Sequence, residues 1–137
     1  MQKNKLKLLF ILAVCVAVTT ACGLEKIKTE KTKDIDFTVV AESEIPTEIH
    51  QIIEERKEKE FKVTYSDDKY TYIIIGYGKQ KYEGYSIKVK ELYDTENAIY
   101  IKTEFEGPKE YTNNETSTYP YIVIKIKYSD KNVIFSE

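Results

Sequence analysis

The sequence predicts an α+β fold, mainly an antiparallel β-sheet or small β-sandwich with one amphipathic helix packed on it. Three observations carry this. From Ile45 to about Glu60 the apolar residues recur at helical spacing. Everything after Phe61 falls into short runs that alternate apolar and polar residues between turn-forming ones. All 12 tyrosines lie between residues 65 and 128, where an apolar ring with a wet hydroxyl suits a half-buried sheet.

The elements follow in order. Lys3, Lys5 and Lys7 precede an uncharged run, Leu8 to Ala21, which is shorter than the roughly 20 apolar residues a membrane span needs but fits the apolar part of a secretory signal. It ends Thr19-Thr20-Ala21-Cys22, similar to the lipobox of bacterial lipoproteins: small residues that let a peptidase grip an extended backbone, then a thiol that accepts a lipid. Residues 1–21 are therefore expected to be a lipoprotein signal peptide, and Cys22 the attachment site of a covalent lipid that holds the protein on the extracytoplasmic face of a cell membrane. Cys15 leaves with the signal, so the remaining cysteine is occupied and no disulfide within the chain is expected. Losing three lysines moves the formal net charge from -2 to -5, which argues against nucleic-acid binding and against a polybasic membrane patch.

Residues 22–34 alternate charge with little apolar content, and are expected to be a tether. One domain should then span residues 35–137, resting on its hydrophobic core alone. Ile35, Phe37 and Val39 repeat at period two, predicting a first strand over residues 35–40 with these three on one face. Pro46 is tolerable in a first helical turn, and Ile45, Ile49, Ile52 and Ile53 form the stripe of a helix reaching about Glu60, with Glu55–Lys59 and Arg56–Glu60 as i,i+4 pairs. Strands are expected at 61–65, 70–77, 85–89 and 99–105, with turns at 66–69 and 94–97. Ile122, Ile124, Ile126 and Tyr128 form another inward set, and Asp130-Lys131-Asn132 turns the chain into a short last strand, Val133 to Phe135.

The chemistry that most enzymes need is hard to assemble here. His50 is the only histidine and sits on the expected helix without a second ligand or nucleophile beside it, so no zinc site, thiol site or histidine-dependent triad follows. Asp67-Asp68 suits a tight turn. The glycines of GYGKQKYEG lack the spacing and the following Ser or Thr of a phosphate loop. No catalytic residue, metal or cofactor other than the lipid on Cys22 is expected, and a carboxylate-based hydrolase is the weakest of the readings.

What remains is YTYIIIGYGKQKYEGYSIKVKELY followed by FEGPKEYTNNETSTYPYIVIKIK. The order of a hydrophobic strand, a Gly-rich loop, a Gly-Tyr-Ser-Ile strand start, Gly-Pro, and Tyr-Pro-Tyr before an alternating strand resembles the PrcB C-terminal domain, over about residues 70–135. That family is named for an accessory lipoprotein subunit of a surface protease complex. Its Gly-Gly-Tyr pattern falls on Glu83, Gly84 and Tyr85, with its preceding threonine at Tyr82; Gly107-Pro108 and Tyr119-Pro120 match as they stand. The resemblance implies a non-enzymatic accessory subunit with an exported protein partner, a protease among the candidates. An envelope glycan binder and an inhibitor-like binder are the alternatives.

If the strands between Tyr70 and Tyr128 were sequential antiparallel neighbours, the loops at 76–84 and 106–118 would share one end of the sheet and the 94–97 turn would lie at the other. Paired loops on a rigid scaffold are common recognition surfaces. The expected protein-binding residues are Tyr77, Gly78, Tyr82, Gly84, Tyr85, Pro108, Tyr111, Tyr119 and Pro120, with Tyr82 and Tyr111 exposed together.

Overall fold

The computed structural model describes residues 30–111 and 113–136. The expected signal peptide, Cys22 and the tether before Glu30 lie outside these residues. Eight strands and one helix follow in the order β1 (Lys33–Asp34), β2 (Thr38–Val39), a 3-10 turn (Glu42–Glu44), α1 (Thr47–Arg56), β3 (Glu60–Ser66), β4 (Tyr70–Tyr77), β5 (Ser86–Asp94), β6 (Ala98–Glu106), β7 (Tyr121–Lys127) and β8 (Asn132–Ser136). They form two four-stranded sheets, ordered β1-β5-β6-β8 and β2-β7-β4-β3. The α+β sandwich expected from the pattern is what the chain builds.

Strand periodicity explains the three layers. In β4 and β7, Ile73, Ile75, Ile122, Ile124 and Ile126 face the other sheet and close on Leu92, Ile99 and Ile101. The alternate residues Tyr72, Ile74 and Val123 face the opposite way, against Ile45, Ile49, Ile53 and Phe61. Two-sided burial makes β4 a near-continuous apolar run, whereas β5 has polar Lys88 and Lys90 on its solvent face. Helix α1 has 10 residues, too few to be stable alone. Docking holds it: each fully buried isoleucine contributes roughly 2 kcal/mol, and Ile49 is fully buried.

Several expectations need correction. The strand over residues 35–40 is two short strands in different sheets. Lys33 and Asp34 pair with Asp94 and Tyr93, and Thr38 and Val39 pair with Lys125 and Ile124. The chain steps between sheets at Ile35 to Phe37, so Ile35 packs on the inter-sheet core while Phe37 and Val39 are exposed. Residues 33–34, expected in the tether, belong to a sheet instead.

Helix α1 stops at Arg56 rather than near Glu60. Glu60 and Phe61 are needed in β3, where Phe61 lies opposite Gly76 with its ring in the space a side chain at Gly76 would take. Lys59 and Glu60 are thus outside the helix, and Lys57 pairs with Glu54 at 2.9 Å within its last turns. Ile52, expected in the buried stripe, is half-buried.

The strands from β4 to β7 are not sequential neighbours: β4 lies between β3 and β7, while β5 pairs with β1 and β6. Strand β8 crosses to the other sheet and runs parallel to β6 instead of folding back on β7. Tyr128, expected to point inward, is exposed beyond the end of β7.

Candidate functional site

Both long connections, 78–85 between β4 and β5 and 107–120 between β6 and β7, pass from one sheet to the other. Strand direction puts them at the same end, since β4 finishes where β5 starts and β6 finishes where β7 starts. The juxtaposition expected from a single meander therefore arises from two crossovers of a sandwich.

The loops are tied to each other by backbone and side-chain bonds. Gln80 and Thr118 exchange backbone hydrogen bonds of 2.8 and 3.0 Å, and the Thr118 hydroxyl donates to the Tyr82 carbonyl at 2.6 Å. The Gln80 amide donates to the Tyr77 carbonyl at 3.0 Å. Gly84 has φ +92°, a left-handed conformation that side-chain-bearing residues rarely adopt, and a Cβ there would meet Pro108 at 2.9 Å. Gly84 and Pro108 are thus a close contact between the loops.

Ring packing joins this end to the core. Phe105, near the end of β6, lies between Tyr77 and Tyr85, stacked on each with centroids 4.2 and 5.0 Å apart. The Tyr77 hydroxyl shares a 2.7 Å hydrogen bond with that of Thr103. A Cβ on Gly107 would lie 3.3 Å from the Tyr111 hydroxyl and 3.7 Å from the Tyr85 ring, so a bare backbone lets these two tyrosines converge. Burial pushes the Tyr85 hydroxyl above the usual tyrosine range, and the neighbouring Tyr111 adds to it. Tyr111 then meets Tyr82 edge to face, centroids 5.0 Å apart and planes at 74°. The outermost ring is Tyr111, 61% exposed; Tyr82 is half-buried.

The expected binding residues divide by this geometry. Tyr82, Gly84, Tyr85, Pro108 and Tyr111 come together where the loops meet. Tyr77 lies in β4 and its ring closes the core, while Gly78, at φ +74°, packs against the backbone of Glu58 to Glu60. Tyr119 stands under the Lys57 ammonium, 4.9 Å from its ring centroid, and the Pro120 carbonyl accepts the Tyr77 N–H at 2.9 Å. Those four residues position the surface rather than form its crest. The Lys57 ammonium is held above the usual lysine range by its bond to Glu54, with a smaller contribution from Tyr119.

Sequence reasoning missed the support residues Phe105, Gln80 and Thr118. Phe105 had a usable signal, because an inward aromatic two residues before Gly107-Pro108 stands where β6 enters the loop end. Gln80 and Thr118 had none, being polar loop residues whose pairing depends on tertiary placement. Among the described residues, no group of three or more His, Cys, Asp or Glu side chains converges as a metal site requires.

The segment containing this whole surface is the one that carries the resemblance. Residues 71–127 match the PrcB C-terminal family. The match runs from β4 to the end of β7 and takes in both loops and the aromatic stack, but leaves out α1, β3 and β8. Neither a curated protein nor a solved structure matches the chain.

Proposed function

We propose that the chain is an exported lipoprotein, anchored through Cys22, that acts as a non-enzymatic accessory subunit and binds an exported protein partner through its PrcB C-terminal loop end. A protease or protease complex is the partner class to which the family name points. The observation that carries this reading is the joint presentation of Tyr82 and Tyr111 at the tip of an aromatic stack rooted in the core. Such rings lose little conformational entropy on binding and bury a large area, the qualities of an interface anchor. Lys81, Glu83, Lys109 and Glu110 around them are exposed and suit the polar rim of a protein contact.

Affinity capture of the protein from its own membrane tests the reading. Tyr82→Ala with Tyr111→Ala should weaken capture by about 2 kcal/mol, roughly 30-fold, while folding stability falls by only about 1 kcal/mol, the worth of the edge-to-face pair, since the outer ring is largely exposed already. Asn97→Ala, at the opposite end of the sandwich, should change neither. Full capture by a stable double variant would remove this surface from consideration, and capture on isolated envelope glycan alone would favour a glycan ligand. Cys22→Ala should abolish incorporation of labelled lipid; equal labelling of wild type and variant would sink the anchor.

A further inference from the structure

The end of the sandwich away from the long loops carries apolar surface that the fold itself leaves open. Phe37, Tyr70 and Tyr128 are 42%, 36% and 53% exposed. Phe37, Tyr70 and Tyr128 rim a cleft of about 440 Å³ whose lining includes Ile35, Ile99 and Ile126. The charges on the rim balance: Lys33, Lys125 and Lys127 stand with Asp34, Asp36 and Asp94, and the Lys125 ammonium lies 4.7 Å from the Tyr70 ring centroid. The surface therefore offers rings and lysine stems rather than a basic patch.

The chain enters the fold at this same place. The Thr32 N–H donates to the Asp94 carbonyl at 2.8 Å, and Lys33 lies opposite Asp94. Strand β5 has 9 residues and runs from Ser86 at the loop end to Asp94 here, so the two ends are separated by about 30 Å. From Cys22 to Glu30 the chain can reach at most about 28 Å when fully extended. A lipid on Cys22 thus holds this end within about 28 Å of the bilayer at all times, whereas the loop end can stand about 30 Å farther out.

We propose that this end is a bilayer-contact surface, with Phe37, Tyr70 and Tyr128 resting in the headgroup interface of the membrane that holds Cys22, and with Tyr82 and Tyr111 directed away from it. The proposal rests on the lipid anchor proposed above. The Tyr70 and Tyr128 rings, with an apolar body and a polar tip, suit that interface, Phe37 adds a wholly apolar ring, and lysine stems lie along apolar surface while their ammonium groups stay in water. Three partly exposed rings bind weakly on their own, and the tether supplies the high local concentration that makes the contact persistent. Balanced charge makes the contact independent of anionic lipid, unlike that of a polybasic segment.

The chain has no tryptophan, so one introduced indole reports its own surroundings. Tyr128→Trp and Tyr111→Trp, both at well-exposed positions, are made in the full chain, expressed in bacterial cells, purified from membranes and reconstituted in phosphatidylcholine vesicles carrying brominated acyl chains. Phe37→Trp serves as a second probe of the same end should Tyr128→Trp lower the melting midpoint. Both proteins are expected to float with the vesicles. Emission from Tyr128→Trp should fall by half or more and shift to the blue, that from Tyr111→Trp should stay near its value without bromine, and adding phosphatidylglycerol should change neither. Failure to float overturns the anchor and this proposal together. Flotation with equal quenching at the two positions, or with stronger quenching at Tyr111→Trp, overturns the bilayer contact and leaves the anchor standing; dependence on phosphatidylglycerol overturns its apolar origin.

Discussion

The two ends of this sandwich are closed by different physics. At the turn end, short connections are fixed by local side-chain-to-backbone bonds: Asp67 accepts the N–H groups of Lys69 and Tyr70 at 2.8 and 2.6 Å, and buried Thr95 donates to the Ala98 carbonyl while accepting the Ala98 N–H. At the loop end, segments twenty or more residues apart are held by ring packing, with Phe105 between Tyr77 and Tyr85 and with Tyr82 against Tyr111. Local polar bonds leave little to spare for a ligand, because the donors are consumed. A ring stack ends in a ring face, and the last face is free to meet something else. The connections of the turn end are therefore complete in themselves, its open rings belonging to Phe37, Tyr70 and Tyr128 on and beside the strands, whereas at the loop end the connections carry the free ring themselves.

Removing the ring at the centre of the stack should break that contrast most severely. Phe105→Ala withdraws the support of both Tyr77 and Tyr85, and because Phe105 is half-buried rather than sealed the cost should be about 3 kcal/mol, near the low end for a phenylalanine deletion. Urea unfolding measures it. Partner capture should fall with it even where the protein remains folded, since Tyr111 would lose the wall behind it. A loss below about 1 kcal/mol would mean that the backbone pairing of Gln80 with Thr118, rather than the rings, holds the loops.

The layers were legible in the sequence because burial follows period: Ile49 and Ile53 repeat as a helix, Ile122, Ile124 and Ile126 as a strand. Period alone does not say which sheet receives a strand. Ile35, Phe37 and Val39 alternate correctly yet cross between sheets, and Val133 to Phe135 pairs with the distant β6 because the inter-sheet core needs Val133 and Phe135 beside it. In β5 the period itself slips. Ile87, Val89 and Leu92 all pack on the core, with a bulge between Val89 and Glu91 that leaves Lys90 and Glu91 both exposed. At the site, Tyr82 and Tyr111 could be chosen as loop aromatics, whereas the demotion of Tyr77 and Tyr119 to supports depended on Phe105 and Lys57, contacts that arise only after folding.

The turn end should give way less, and through hydrogen bonding alone. Thr95→Val keeps the shape but removes a hydroxyl that bonds the Ala98 N–H at 3.0 Å and the Ala98 carbonyl at 2.9 Å in a site with no solvent access. The expected cost is about 2 kcal/mol, the penalty for a buried peptide group left short of a partner. The neighbouring bonds from the Lys131 ammonium to Asp94 and to the Thr95 carbonyl, at 2.7 and 2.8 Å, should keep the turn in place, so capture of the partner should be unchanged in the folded protein. Loss of capture by folded Thr95→Val would show that the two ends are mechanically coupled.

Acid and alkali should separate the ends by the smallest effects. Backbone N–H donation from Tyr70, then from Lys69, holds the Asp67 carboxyl below the ordinary aspartate range. Its folded value is thus lower than its unfolded one, so its contribution is complete above the unfolded value and disappears as pH falls through the folded value, below about pH 4. Glu104, lowered by its bond to Lys90, loses stability in the same direction, so the informative quantity is the difference between wild type and Asp67→Asn, whose amide oxygen can still accept both N–H groups. The asparagine variant should lose less midpoint on acidification from about pH 5 to pH 2. Tyr85 runs the other way: burial raises its folded value, so its contribution is complete below the unfolded value, near pH 10, and is lost as pH rises through the folded value. Tyr85→Phe keeps the stack on Phe105 and should lose less midpoint than wild type between about pH 9 and pH 11. Melting curves of the three proteins across both ranges measure this. A Tyr85→Phe variant as alkali-sensitive as wild type would place that sensitivity on the helix side, where burial also raises Tyr72 and Tyr121, and would leave only the acid response as a marker that tells one end from the other.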